Sequence, residues 1–358
     1  MASAEFILKS SPVRRTLEQR LMDDLKVGLT RAGVEGFKIE KDAGRIIIRG
    51  MRDADTAAQR CARVFGVAFA ASAVSLPASM ESVLNAVVQL ATAALAPGQS
   101  FAIRTHRATA SPLSRREIEI NGGSEVLRVL QQNGVKVNLK TPDVKFFVDL
   151  VGDRAYVYHQ RFRGPGGLPL SSQWRMLAVL DSGPLSVLAA YAMMRRGCLV
   201  ELLIPISETI PSFAKDQQLR LAQKLRDLVT RPTYRAFTLE LDSARISSLQ
   251  YATARRLIRL ASIKLATERR FRGIVFPDVA GEIATLQSGF TEGNEIKPPI
   301  FRPLIGLEND DLIGMCREID IPVEELLSQM KLESRESESL TVDFSKFLDE
   351  TEFEQIML

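Results

Sequence analysis

Apolar and polar positions recur in two different periods along the chain, and the switches between them mark its elements. Phe6-Ile7-Leu8-Lys9 reads as a strand, Thr16 to Arg31 as an amphipathic helix closed by Gly33, and Phe37 to Glu40 as a second strand. The turn residues Asp42-Ala43-Gly44 lead into Arg45-Ile46-Ile47-Ile48-Arg49, which predicts a hairpin, and Ala54 to Val64 predicts a second helix ended by Phe65-Gly66. The order β-α-β-β-α is that of a small ferredoxin-like domain, expected over residues 1–73.

From Ser79 a helical period runs to Leu95, where Pro97-Gly98 stops it ahead of a strand at Phe101 to Arg104. A helix over Ser114 to Asn133 follows, then strand signals at Lys136 to Leu139, Lys145 to Leu150 and Arg154 to Gln160. The cluster Gly164-Pro165-Gly166-Gly167-Leu168-Pro169 reads as a linker, which sets a second domain at 74–168. Beyond it the chain alternates strand (Met176 to Leu180), turn (Asp181 to Pro184), helix (Leu185 to Arg196), a stop at Gly197 and an apolar strand (Cys198 to Ile204). Helices at Lys215 to Leu228 and Tyr251 to Arg270, with strands at Ala236 to Leu241 and Ile274 to Phe276, continue the alternation. Such βαβ units predict a parallel sheet over 169–332, so the fold class is α+β followed by α/β.

Composition changes this picture little, since 46% apolar and 25% charged residues allow each domain an ordinary core. The N-terminus lacks a signal peptide's basic and apolar regions, and no run approaches the about 18 apolar residues of a membrane span, so a cytoplasmic protein without a membrane segment is expected. Cys61, Cys198 and Cys316 are far apart, and only His106 and His159 join them, which argues against disulfides and against a metal centre.

Charge changes it more. The formal net charge is +4, yet the tail at 333–358 carries Glu333, Glu336, Glu338, Asp343, Asp349, Glu350, Glu352 and Glu354 against Arg335 and Lys346. The body before it is therefore basic by about +10 and suited to polyanions. Leu340, Phe344, Phe347, Phe353 and Ile356 make the acidic tail a candidate docking motif for a partner.

In this order, Gly44-Arg45-Ile46, Arg63-Val64-Phe65-Gly66-Val67, Phe101-Ala102-Ile103-Arg104, Val137 to Asp143, the Gly164 to Pro169 cluster, Tyr191 with Met193 to Cys198, and Arg302-Pro303-Leu304-Ile305-Gly306 resemble the tRNA 4-thiouridine synthetase family. The resemblance implies a ferredoxin-like domain and a THUMP domain that bind the acceptor stem of tRNA, followed by a PP-loop (Rossmann-like) domain that uses ATP and magnesium to adenylate a uridine. It places Arg104, Arg107, Arg115, Arg116, Lys136, Lys140, Arg161 and Arg163 in an RNA-binding module, where they are candidate phosphate contacts that read backbone position and helix shape.

The family's phosphate-binding turn has the form S-G-G-x-D-S, whose small residues let backbone N–H groups wrap pyrophosphate. Here that stretch is Asp181-Ser182-Gly183-Pro184-Leu185-Ser186: Ser182, Gly183 and Ser186 are candidate phosphate contacts, Leu185 replaces the motif's aspartate, and Asp181 brings a negative charge. Asp181 to Pro184 also suits an ordinary capped helix start. The family's T-G-E-x-L-G-Q motif corresponds to Phe276 to Glu282, with Asp278, Gly281 and Glu282 as candidate nucleotide or magnesium contacts. No cysteine follows Cys316 to accept sulfur, and no catalytic residue is assigned. Two readings follow: a tRNA-binding, partner-recruiting subunit with a degenerate nucleotide site, whose sulfur carrier or adenylating partner docks on the acidic tail; or an active ATP-dependent sulfurtransferase with a divergent loop. An assembly protein that no longer binds tRNA is a third, and a homodimer is compatible with each.

Overall fold

The computed structural model describes residues 2–3, 12–42, 44–109, 111–241, 251–279, 298–333 and 351–358. Leu21, Leu25 and Leu29 stand four apart in α1 (Pro12–Arg31), so they stack along one face and are all buried. They share a core with Ile46 of the hairpin β2 (Lys38–Asp42) and β3 (Arg45–Arg49) and with Ala57, Ala58 and Cys61 of α2 (Ala54–Cys61). Asp53 starts α2 by accepting the Thr56 N–H at 3.0 Å. With the short strands β1 (Ala2–Ser3), β4 (Phe69–Ala70) and β10 (Phe162–Arg163), the sheet has the order β10-β4-β1-β3-β2, a ferredoxin-like arrangement. The strand expected at Phe6 to Lys9 lies outside the described residues.

The next sheet has the order β5-β9-β8-β6-β7, from β5 (Val74–Pro77), β6 (Ser100–Arg107), β7 (Lys136–Val137), β8 (Val144–Val151) and β9 (Arg154–Tyr158). Helices α3 (Met80–Ala94) and α4 (Arg115–Val129), capped by Ser79 and Ser114, share its core: Val83, Val87 and Val126 meet Phe101, Ile103, Phe146, Val148 and Leu150. A Cβ on Gly122 of α4 would stand 2.7 Å from Ile103 Cδ1, so the bare glycine brings this helix close to the sheet and a larger residue would make the end of the Ile103 side chain shift. Residues 1–14 and 21–166 form one compact unit, and residues 15–20 and 167–358 the other.

The second unit holds a sheet of order β15-β14-β11-β12-β13-β16. Five strands are parallel: β11 (Arg175–Val179), β12 (Leu199–Ile206), β13 (Arg235–Glu240), β14 (Ile274–Val275) and β15 (Ile300–Phe301). Helices α5 (Gly183–Arg195), α6 (Lys215–Leu228), α7 (Tyr251–Glu268), α8 (Asn309–Glu318) and α9 (Val323–Glu333) complete the α/β domain. From β11 the strands run in sequence order towards β13 on one side, whereas β14 and β15 lie on the other. The topological switch point therefore falls between β11 and β14, where open α/β sheets form a ligand crevice beyond the strands' carboxyl ends.

The edge strand β16 (Glu354–Met357) is antiparallel to β13. The end of the acidic tail, expected to await a partner, thus belongs to the fold: Phe353 packs on the core around Phe237 and Leu239, and the Lys264 Nζ donates to the Thr351 carbonyl at 3.1 Å. Among the described residues no helix is long and apolar enough to cross a membrane.

Candidate functional site

Strand alternation gives the sheet of β5 to β9 a second face, opposite its helices, that carries Arg104, His106, Lys145, Phe147, Asp149, Tyr156 and Tyr158. Part of this face is a polar and aromatic network. Arg45 Nε donates to Asp149 Oδ2 at 3.0 Å, Tyr158 Oη to Asp149 Oδ1 at 3.4 Å, and Arg49 Nη2 to Tyr156 Oη at 2.9 Å. Burial, followed by the Asp149 charge, pushes the Tyr158 hydroxyl up to about 12, so it remains a donor.

The eight expected phosphate contacts separate into groups. Arg107 ends β6, and Arg115 and Arg116 open α4, all three exposed. Basic residues at a helix N-terminus add to the positive end of its dipole, a combination suited to an anion. At the neighbouring edge Arg104 Nη2 donates to the Leu139 carbonyl, and Asn138 Oδ1 accepts the N–H groups of Lys140 and Thr141 at 3.1 Å each. This turn holds Lys140 exposed beside the exposed Lys136. Arg104 therefore shapes the turn as well as charging it. Arg163 is exposed on β10.

Arg161 is exposed and is also engaged by aromatic rings. Its guanidinium stacks 3.6 Å from the Phe147 ring centroid and 4.4 Å from that of Phe69, and its Nη2 donates to Tyr158 Oη at 3.0 Å. Ring contacts thus hold this exposed arginine between Phe69 of β4 and Phe147 of β8. His106 is exposed and faces Arg45 Nη2 through Nδ1 at 3.2 Å, while the exposed His159 lies beside the Phe146 ring.

At the switch point of the second unit, Asp181 follows β11 and Asp278 follows β14, and both are wholly buried. Arg259 of α7, 1% exposed, bridges them: its Nε donates to Asp181 Oδ2 at 2.7 Å and its Nη2 to Asp278 Oδ1 at 2.6 Å. The guanidinium also lies 4.8 Å from the centre of the Phe276 ring. Arg302 Nε donates to the other oxygen of Asp278 at 2.8 Å. Arg255, one turn before Arg259, approaches Asp181 at 3.5 Å and Asp278 at 3.9 Å. Burial acts against the Arg259 charge, but Asp181 and Asp278 outweigh it and hold its pKa above the ordinary value.

The helix start reads differently from the capped turn expected of Asp181 or Ser182. The Ser182 side chain makes no cap bond to α5, Asp181 Oδ2 accepts from Arg259, and Ser186 Oγ accepts the Ser182 N–H at 2.9 Å. Gly183 has φ +49°, and a Cβ there would stand 2.9 Å from Gln329 Oε1, so α9 covers the loop closely. Ser182, Gly183, Pro184, Leu185 and Ser186 are all buried. Gly281 and Glu282 lie outside the described residues.

Sequence reasoning missed Arg255, Arg259 and Arg302. The signal for the first two is the i, i+4 arginine pair of α7, which also carries Arg256 and Lys264, set against carboxylates at two strand ends. Cys61 and Cys316 are buried thiols that burial pushes up to about 11, and Cys198 is raised in the same way. Among the described residues, no group of three or more His, Cys, Asp or Glu side chains is placed to hold a metal ion.

Comparison with known proteins agrees with this architecture. The ThiI ferredoxin-like domain matches residues 3–71, the THUMP domain residues 77–160, and the thiamine biosynthesis protein (ThiI) family residues 171–328. The probable tRNA sulfurtransferase of Methanosarcina acetivorans is 28% identical over 334 residues, spanning 88% of this chain and 79% of that protein. That of Caldanaerobacter subterraneus subsp. tengcongensis is 26% identical over 373 residues, spanning 96% and 95%. The fold is similar to a 4-thiouridine synthetase–RNA complex with bound ATP, with TM-score 0.70, 17% identity and coverage of 99% of this chain and 98% of the other. It is also similar to PH1313 from Pyrococcus horikoshii, with TM-score 0.66, 22% identity and coverage of 89% and 98%. With the three domains matched in one order, and relatives of one name spanning most of its length, the chain belongs to the tRNA sulfurtransferase (4-thiouridine synthetase) family.

Proposed function

We propose that this protein binds tRNA in the cytoplasm through its ferredoxin-like and THUMP domains and serves tRNA thiolation as a binding or recruiting subunit. A second protein supplies the adenylating site or the sulfur-carrying cysteine. The names of its relatives and the exposed Arg107, Arg115, Arg116, Lys136 and Lys140 support the RNA half of this reading.

One observation supports the other half: at the start of the loop that would hold ATP, the buried Asp181 is ion-paired with Arg259, which also holds Asp278. The residues present do not fit a nucleotide's phosphates. The Ser182 N–H is engaged by Ser186, Gln329 lies against Gly183, and a buried carboxylate stands at the first position of the loop. A phosphate there would meet the Asp181 charge in a dry site, where like charges repel most strongly. The three thiols are buried, and burial raises each above its ordinary value, which disfavours the thiolate that sulfur transfer needs.

Three measurements test the reading. Filter binding at rising salt should retain tRNA in preference to duplex DNA; equal affinity for both removes the RNA half. Titration of ATP with magnesium should give no heat, and a saturable heat would favour the autonomous sulfurtransferase instead. Mass spectrometry of tRNA nucleosides from cells lacking the gene should find 4-thiouridine lost.

A further inference from the structure

The cluster at the switch point resembles a ligand site more than a stabilising device. A buried ion pair gains little over well-packed apolar side chains, because desolvating the charges offsets most of their attraction. Here two carboxylates from the ends of adjacent strands converge on one buried guanidinium in the crevice where such sheets take ligands. Their oxygens accept charge-assisted bonds of 2.6 to 2.8 Å from Arg259 and Arg302, contacts that phosphate oxygens also make. Arg259 Nη1 is buried and has no hydrogen-bond partner among the described residues, so the pair of carboxylates leaves this nitrogen of the fork unused.

The opposite end of the same sheet offers a comparison. Glu201 of β12 ties Arg235 at 2.9 Å and Arg175 at 3.8 Å, but those arginines are 42% and 32% exposed and sit at the strands' amino ends. That bridge follows the surface and closes no crevice.

We propose that Arg259 and Arg302 form an oxyanion-recognition site whose ligand is built into the chain. Asp181 and Asp278 stand in for the oxygens of a phosphoryl group, and Asp181 decides between self-pairing and capture of a free oxyanion. The proposal rests on the closed-loop reading above and adds a specific claim, that the arginines keep their affinity for phosphate and are only occupied. Removal of Asp181 should therefore convert a sealed site into a binding site for inorganic phosphate or pyrophosphate, the shared chemistry of free anions and nucleotide tails.

The test uses the full chain as wild type, Asp181→Ser, and the double variant Asp181→Ser with Arg259→Leu. Thermal melts and calorimetric titrations are run with pyrophosphate, with sodium chloride of equal ionic strength as the control. Wild type should give no heat and no shift. Asp181→Ser should melt lower in chloride, recover with pyrophosphate in a saturable way, and bind it at least about tenfold more tightly than wild type. The double variant should lose that recovery.

Pyrophosphate binding by wild type as tight as by Asp181→Ser would overturn the proposal, and so would rescue that survives in the double variant. If Asp181→Ser does not fold in chloride, refolding yield reads the same point: recovery with pyrophosphate alone supports the site, and failure with both anions overturns it. Retention of tRNA by wild type and by Asp181→Ser is measured in parallel. Its loss from wild type would sink the proposed function and leave the anion result standing.

Discussion

Arg45 Nε lies 3.0 Å from Asp149 Oδ2, joining the ferredoxin-like hairpin to the central strand of the THUMP sheet across 104 residues of sequence. Asp149 is 1% exposed and also accepts from Tyr158, so its charge is compensated inside the first unit. Asp149→Asn keeps the shape and removes the charge that balances Arg45. Breaking one partner of a buried pair costs about 3–5 kcal/mol, and the loss should appear near the lower end because Arg45 retains some contact with water. Urea denaturation followed by tyrosine fluorescence checks it, and an unchanged midpoint would remove the claim.

The exposed basic groups make a prediction about salt. Arg107, Arg115 and Arg116 lie at the end of β6 and the start of α4, where each could neutralise one phosphate. Replacing any of them with Gln should reduce the slope of log affinity against log salt by about one, whichever tRNA is used. Arg161→Gln should behave differently. Its guanidinium is engaged by Phe69, Phe147 and Tyr158, so the variant should lower the melting temperature and leave the slope nearly unchanged. Equal slope losses for Arg161 and Arg116 would show that stacking does not set it apart.

This contrast shows where sequence reading reached and where it stopped. Long periodic helices such as α1, α3, α6 and α7 were legible because their spacing depends only on neighbours along the chain. The fold classes followed from the order of those elements. Strands of two residues, such as β4 and β15, are too short for any period to register, and β16 was hidden in an acidic run. The types of the basic residues were legible, but the engagement of Arg161 depends on Phe69, distant in sequence and adjacent in space. By sequence the turn at Asp181 suits either a phosphate loop or a helix cap, because its partner, Arg259, lies 78 residues further along.

The thiols give a chemical test. Burial raises Cys61 and Cys316 to about 11, against about 8.5 for a free thiol. At pH 8 both should therefore react with a disulfide reagent far more slowly than in urea. The sign of the linkage follows: the folded state keeps protons that the unfolded state releases, so stability from these thiols is intact below pH 8 and is lost as pH climbs towards 11. Replacing both with Ala should flatten that alkaline slope. Rapid labelling of either cysteine in the native protein at pH 8 would show that it is accessible and contradict its buried placement.

The closing strand makes the last prediction. Strand β16 covers the edge of β13, whose Ala236, Phe237 and Leu239 are buried, and Phe353 packs on the same core. Arg226 secures the far end by donating from Nε to the Leu358 oxygen at 2.8 Å and from Nη1 to the Val229 carbonyl at 3.0 Å. Phe353→Ala removes a half-buried ring and should cost about 2 kcal/mol, below the about 3–5 of a fully buried phenylalanine. A chain ending at residue 350 should lose more, because it also bares a row of unpaired backbone groups on β13, which templates association with another copy. Light scattering after gentle heating should therefore rise for the truncated chain well before Phe353→Ala aggregates, and a synthetic peptide of residues 351–358 should suppress it. A truncated chain that stays monomeric with an unchanged melting temperature would mean that this strand contributes nothing to the sheet it borders.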